Sequence, residues 1–135
     1  MNWRNFVGYA AEWRKAEIFL ETLCPVPAGV TAVPIPDGMP QALRQTVEGT
    51  LGAIALPGQP FDSTDVVVHG INRRYLFVWN RGRKWFVATE HGGIAYNDPV
   101  LEYAIGEDGR SISLIKTRIA VPQNLCAVAI SSIEE

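Results

Sequence analysis

No G-x-S-x-G, H-E-x-x-H, Walker loop or G-x-G-x-x-G occurs in the 135 residues, so the local motifs of acyl transfer, metal-assisted hydrolysis and nucleotide binding are all missing. Gly92-Gly93 stands without the strand-to-helix context of a phosphate cradle. An enzyme is therefore not the first expectation, and no cofactor or metal is predicted. Cysteine is scarce: Cys24 and Cys126 are far apart and form no C-x-x-C pair. That spacing implies no disulfide framework, and two small buried thiols kept reduced are the expectation. Arg4, Glu12, Arg14, Lys15 and Glu17 interrupt any signal-peptide core, so the chain reads as cytoplasmic. The longest uncharged runs, Thr22 to Pro36 and Ile119 to Ile133, both contain proline and fall short of the ~20 apolar residues of a spanning helix, so no membrane contact is expected.

Charge is thin as well. Charged residues make up 19% of the chain, below the roughly 25% of a typical domain, so some apolar surface is expected to meet a partner or a ligand. The net charge of -2 argues against a protein that coats DNA, because non-specific affinity comes from neutralising phosphates. What charge there is falls unevenly. Val66 to Thr89 holds no acidic side chain, yet Arg73, Arg74, Arg81, Arg83 and Lys84 lie there among Tyr75, Phe77, Trp79, Trp85 and Phe86. Cations beside aromatic faces are what a nucleic-acid or phosphate-ligand surface uses. Strand aromatics ordinarily face a core, however, and arginines at strand ends keep a sheet solvated, which makes nucleic-acid binding the alternative reading.

A chain of this length fits one domain, 1–135. From Trp3 to Leu23, Phe6, Ala10, Trp13, Ala16, Leu20 and Leu23 recur at helical spacing opposite Arg4, Gly8, Glu12 and Lys15, and Cys24-Pro25 stops the helix. A Pro-rich connection, 25–64, contains a short second helix, Gln41 to Leu51, with Ala42, Leu43, Val47 and Leu51 on one face. After Asp65 the pattern turns β-branched and aromatic. Strands are predicted at Val66 to His69, Arg74 to Trp79, Lys84 to Thr89, Val100 to Ile105, Ser111 to Ile119 and Leu125 to Ser131, with the best turns at Asn80–Arg83 and Gly106–Gly109. The expected fold is α+β: two N-terminal helices, one long and one short, on a curved, mainly antiparallel sheet of five or six strands.

With Arg81-Gly82 as a two-residue turn, Tyr75, Phe77 and Trp79 share a face with Lys84, Phe86 and Ala88, and Leu76 and Val78 share the other with Trp85 and Val87; a three-residue turn with Gly82 as a bulge would shift one strand against the other. Either way both faces are apolar, and a second covering layer is required. The leading expectation is a small non-catalytic binding or interaction domain whose cavity grips a small apolar or amphipathic ligand through Glu17, Trp79, Trp85 and Tyr103. A homodimer through the Arg74 to Thr89 hairpin is the other way to cover that face. His91 beside Glu90, or Glu17 with a tyrosine such as Tyr96 or Tyr103, would be the start of an acid/base site only if a pocket brought them together. Cys24, His69, His91 and Cys126 offer zinc-type ligands without the short pairs of structural sites.

Overall fold

The computed structural model describes residues 24–135. The helix expected over Trp3 to Leu23, with Glu17 on it, lies outside the described residues. Within them the order is β1 (Thr31–Val33), α1 (Gln41–Leu51), β2 (Arg73–Arg81), β3 (Lys84–His91), β4 (Asp98–Ile105), β5 (Ile112–Ala120) and α2 (Leu125–Glu134). The five strands form one antiparallel sheet in chain order, β1-β2-β3-β4-β5. This is an α+β fold with an antiparallel sheet. It departs from expectation in that its second described helix comes last in the chain and the sheet is not clearly curved.

α1 occupies the span its apolar spacing predicts. Leu43 and Val47, four residues apart, are fully buried, and the helix stops at Gly52, whose φ of 87° suits glycine and whose N–H reaches the Glu48 carbonyl at 2.8 Å. The four expected strands from Arg74 to Ile119 all form: β2, β3 and β4 are two or three residues longer than expected, and β5 is shifted by one residue. Two expected strands do not. Val66 to His69 is a loop because the Asp62 carboxylate accepts the backbone N–H groups of Val68, His69 and Gly70 at 3.0, 2.8 and 2.8 Å. Donors consumed in this way are lost to a ladder. Leu125 to Ser131 lies in helix α2: Leu125, Ala129 and Ile133 are buried at helical spacing, a stripe that runs past the end of the apolar window.

α2 supplies the second covering layer. On one face of the sheet α1 packs Leu43 and Val47 against Tyr75, Val78, Val87, Leu101 and Tyr103. On the other, α2 packs Leu125, Ala129 and Ile133 against Trp79, Phe86, Ala88, Val100 and Ala120. The hairpin turns through Gly82-Arg83, one residue later than the expected Arg81-Gly82, since Arg81 pairs with Lys84; Trp79 faces Phe86 and Phe77 faces Ala88, which keeps their expected shared face. A bulge at Leu76 then moves Tyr75 to the α1 face, opposite Thr89. The hairpin is thus interior to the sheet, flanked by β1 and β4.

Cys24 and Cys126 are joined by a disulfide, which corrects the expectation of two reduced thiols. The fold brings the start of the described chain onto α2, with a Cα–Cα distance of 4.9 Å across 102 residues of sequence. Among the described residues no helix is long and apolar enough to cross a membrane.

Candidate functional site

The expected ligand set divides between the two faces. Trp79, 1% exposed, lies on the α2 face, whereas Tyr103 is buried and Trp85 half-buried against the α1 core. The sheet separates them, and Glu17 lies outside the described residues, so they do not form one pocket.

Trp79 does line a groove of about 290 Å³ on the α2 face. Its floor is β2: Leu76, the extra residue of the bulge, then Phe77 and Trp79, whose rings stack at 4.7 Å between centroids and 29° between planes. Residues two apart on a strand point the same way, so the pair forms one continuous apolar surface. Cys24, Val26 and Ala32 make one bank, while Pro57 and Gly58 close the end nearer Arg74. Among the described residues Arg74 is the one charged residue in this lining.

Arg74 is firmly held. Its Nε donates to Glu90 Oε2 at 2.8 Å, its Nη1 to the Gln59 carbonyl at 3.0 Å, and its guanidinium lies 4.4 Å from the centre of the Phe61 ring. Glu90 is 5% exposed and also accepts the Tyr96 hydroxyl, at 2.5 Å. The pairs Ala88 with Val100 and His91 with Asn97 place Asp98 opposite Glu90, so Arg74, Glu90 and Asp98 form a row across three strands. Asp98 is 2% exposed and its Oδ1 has no hydrogen-bond partner. Burial first, and then the charge of Glu90, push its carboxyl up to about 6, against a smaller downward pull from Tyr96. Burial and Glu90 likewise raise the Tyr96 hydroxyl far above its ordinary value.

Two carboxylates and a phenol resemble the raw material of acid/base catalysis. Among the described residues, however, neither Glu90, Asp98 nor Tyr96 lines the groove. Chemistry needs a titratable group within reach of a substrate, and here only Arg74 of the row meets the groove. His91 belongs to the opposite side: it pairs with Arg73, and burial together with the Arg73 charge drives it down to about 4, with Nε2 buried and unpartnered. The alternation that separates Glu90 from His91 is the one expected of a strand, but the histidine is half-buried rather than solvated. With Cys24 and Cys126 bonded to each other, two of the four zinc-type side chains have no thiolate to offer.

The basic hairpin residues are spread and largely neutralised. Arg73 and Arg74 sit at one end of β2, and Arg81, Arg83 and Lys84 at the other, about 25 Å away. Arg73 donates to the Leu51 carbonyl at 2.8 Å. Lys84 meets Glu102 at 2.9 Å and Arg83 meets Glu107 at 3.9 Å, while Arg81 is exposed. Glu102, 4% exposed, also takes Arg118 at 2.9 Å, and Arg118 continues to Glu135. Burial opposes the charge of Glu102, but these cations hold its carboxyl below the ordinary range. The acid-free window finds its carboxylates just past its end at Glu90 of β3, on β4 at Glu102 and in the following turn at Glu107, where a linear reading does not count them.

Sequence reasoning missed Arg74 as a groove residue rather than a phosphate contact, and missed Asp98 altogether. Asn97-Asp98-Pro99 reads as a turn, and nothing local says that Asp98 will face Glu90. No protein-family model, curated protein or solved structure matches this chain.

Proposed function

We propose that this is a non-catalytic binding domain whose α2-face groove takes a small amphipathic molecule, its apolar body on Leu76, Phe77 and Trp79 and its polar end toward Arg74. The observation that supports this most is the groove itself: an apolar floor, one charged side chain in the lining, and about 290 Å³ of space, near the lower end for small-molecule sites. The seclusion of Asp98, Glu90 and Tyr96 favours binding over catalysis. Decanoate and decanol serve as probes that share an apolar chain and differ in head group. Tryptophan fluorescence should change saturably with both, more tightly with decanoate, and Leu76→Glu should abolish the response. No saturable response with either probe would remove the reading.

Nucleic-acid binding through Arg73, Arg74, Arg81, Arg83 and Lys84 has less support, since ion pairs already engage three of these side chains. A homodimer finds its motive at β5 rather than at the covered hairpin: β5 is an edge strand with Leu114, Ile115 and Ile119 between 51% and 63% exposed. A sedimenting dimer that Ile115→Lys converts to monomer would support that contact. The cytoplasmic placement rests in part on free thiols, and the Cys24–Cys126 bond is of the kind that persists in oxidising compartments.

A further inference from the structure

We infer that an anionic head group in the groove is bound together with a proton on Asp98, so that the α2 face takes up amphipathic anions in mild acid and releases them at neutral pH. The inference rests on the groove being a binding surface, and it adds how that surface is regulated. The first argument is geometric. Arg74 of the groove lining is also the first member of the row Arg74, Glu90, Asp98. Its Nε and Nη1 are committed to Glu90 and to the Gln59 carbonyl, which leaves Nη2 as its uncommitted nitrogen among the described residues. An anion drawn to that nitrogen joins a row that already holds two buried carboxyl groups.

The second argument is charge. With Asp98 protonated the row is neutral, Arg74 against Glu90; with Asp98 ionised it holds one uncompensated negative charge away from water. A bound anion adds another. Asp98 lies two strand spacings from Arg74, about 10 Å, where two like charges in a protein repel enough to shift an equilibrium about tenfold. Anion and ionised Asp98 therefore oppose one another, and by linkage anion and proton favour one another. The neighbours of Asp98 leave that coupling in place. Glu90 faces it from β3, and Tyr96, just before β4, gives its hydroxyl proton to Glu90. On β5 the residue opposite is Ala120, and Arg118, two positions earlier, is bonded to Glu102 and Glu135. α2 meets this face with Leu125, Ala129 and Ile133, none of which titrates. Asp62, in the loop beyond Arg74, is engaged by the N–H groups of Val68, His69 and Gly70. Burial first and Glu90 second bring the Asp98 carboxyl up to about 6, which places the exchange in mild acid.

The test uses the full chain, disulfide intact, at about 0.15 M salt, where exposed charges are screened beyond about 8 Å. The probes are decyl sulfate, which stays ionised throughout, and decanol, both below micelle formation. Tryptophan fluorescence should show decyl sulfate bound about tenfold more tightly at about pH 5 than at about pH 8, with decanol unchanged. Asp98→Asn, which keeps the row neutral, should bind decyl sulfate at either pH as tightly as the parent does in acid. Calorimetry at about pH 6.5 in two buffers of different ionisation enthalpy should read an uptake of about half a proton per decyl sulfate in the parent and none in Asp98→Asn. Equal affinity at both pH values, or a pH dependence that persists in Asp98→Asn, would overturn the inference and leave the groove a binding site. No saturable response with either probe at either pH would remove both.

Discussion

The two faces of the sheet solve the same problem differently. The α1 face is closed and mostly apolar: Leu43, Val47, Tyr75 and Val87 are fully buried, the Tyr75 hydroxyl is met by Glu48 at 2.8 Å, and Thr89 Oγ1 and His91 Nε2 are buried without a partner. The α2 face mixes its apolar floor with buried carboxylates, a covalent bond and a groove. A face that only had to hold the fold together would have no need of Glu90, Asp98 and Glu102, each of which costs desolvation and must be compensated by cations or by protonation. Under the proposed binding function, the α1 face carries stability and the α2 face carries the groove.

The contrast can be broken at its largest side chain. Trp79→Ala should cost about 3 to 5 kcal/mol in a urea melt, because a fully buried ring leaves a cavity. Trp85→Ala, half-buried on the other face, should cost clearly less. Reducing the disulfide, or Cys24→Ser with Cys126→Ser, should lower stability by about 2 to 4 kcal/mol, since the bond closes a loop of about a hundred residues. An unchanged melting temperature under reductant would show that the α2 face holds without it.

Acid sharpens the comparison, because Asp98 on one face and His91 on the other are displaced in opposite directions between about pH 4 and 6.5. The Asp98 carboxyl is raised from 3.8 to about 6, so the folded state keeps its proton longer and stability falls as pH rises from about 4 to about 6. His91 is lowered from 6.5 to about 4, so stability falls as pH drops through the same window. The two slopes offset one another in the parent. Asp98→Asn should leave a stability that rises with pH and should gain about 2 to 3 kcal/mol above pH 7, whereas His91→Gln should leave one that falls. Parallel profiles for parent and both variants would contradict these assignments. The smallest effect expected is at Gly92, where an added Cβ would lie 2.0 Å from the Asp62 carbonyl oxygen. Gly92→Ala should cost about 1 to 3 kcal/mol by forcing the 62–72 loop away from the sheet, and a neutral melt would show that the loop yields.

Much of the α1 face was legible, because its signals are local: Leu43 and Val47 repeat at helical spacing, Gly52 ends the helix, and β2 and β3 alternate around a glycine turn. The α2 face was not, because what shapes it is long-range. LCAVAIS reads equally as strand or helix over seven residues, and only Ile133, outside that window, completes the helical stripe. The bulge at Leu76 that turns Tyr75 to α1 has no glycine to announce it. Asp62 dissolves the Val66 to His69 strand from outside its span. Cys24 gives no hint of Cys126, and Arg74, Arg83 and Lys84 each find a carboxylate on another strand or loop. Trp79 lines the groove, whereas Trp85 and Tyr103, named with it, lie on the other face by a parity that only pairing reveals.

The separation of the two faces is tested most directly by backbone amide chemical shifts recorded while decanoate is added to the full chain. Saturable shifts should gather at Val26, Ala32, Gly58 and Arg74 to Trp79, with Leu43, Val47, Trp85 and Tyr103 unmoved. Shifts centred on those α1-face residues, or none at any concentration below micelle formation, would contradict the assignment of binding to the α2 face.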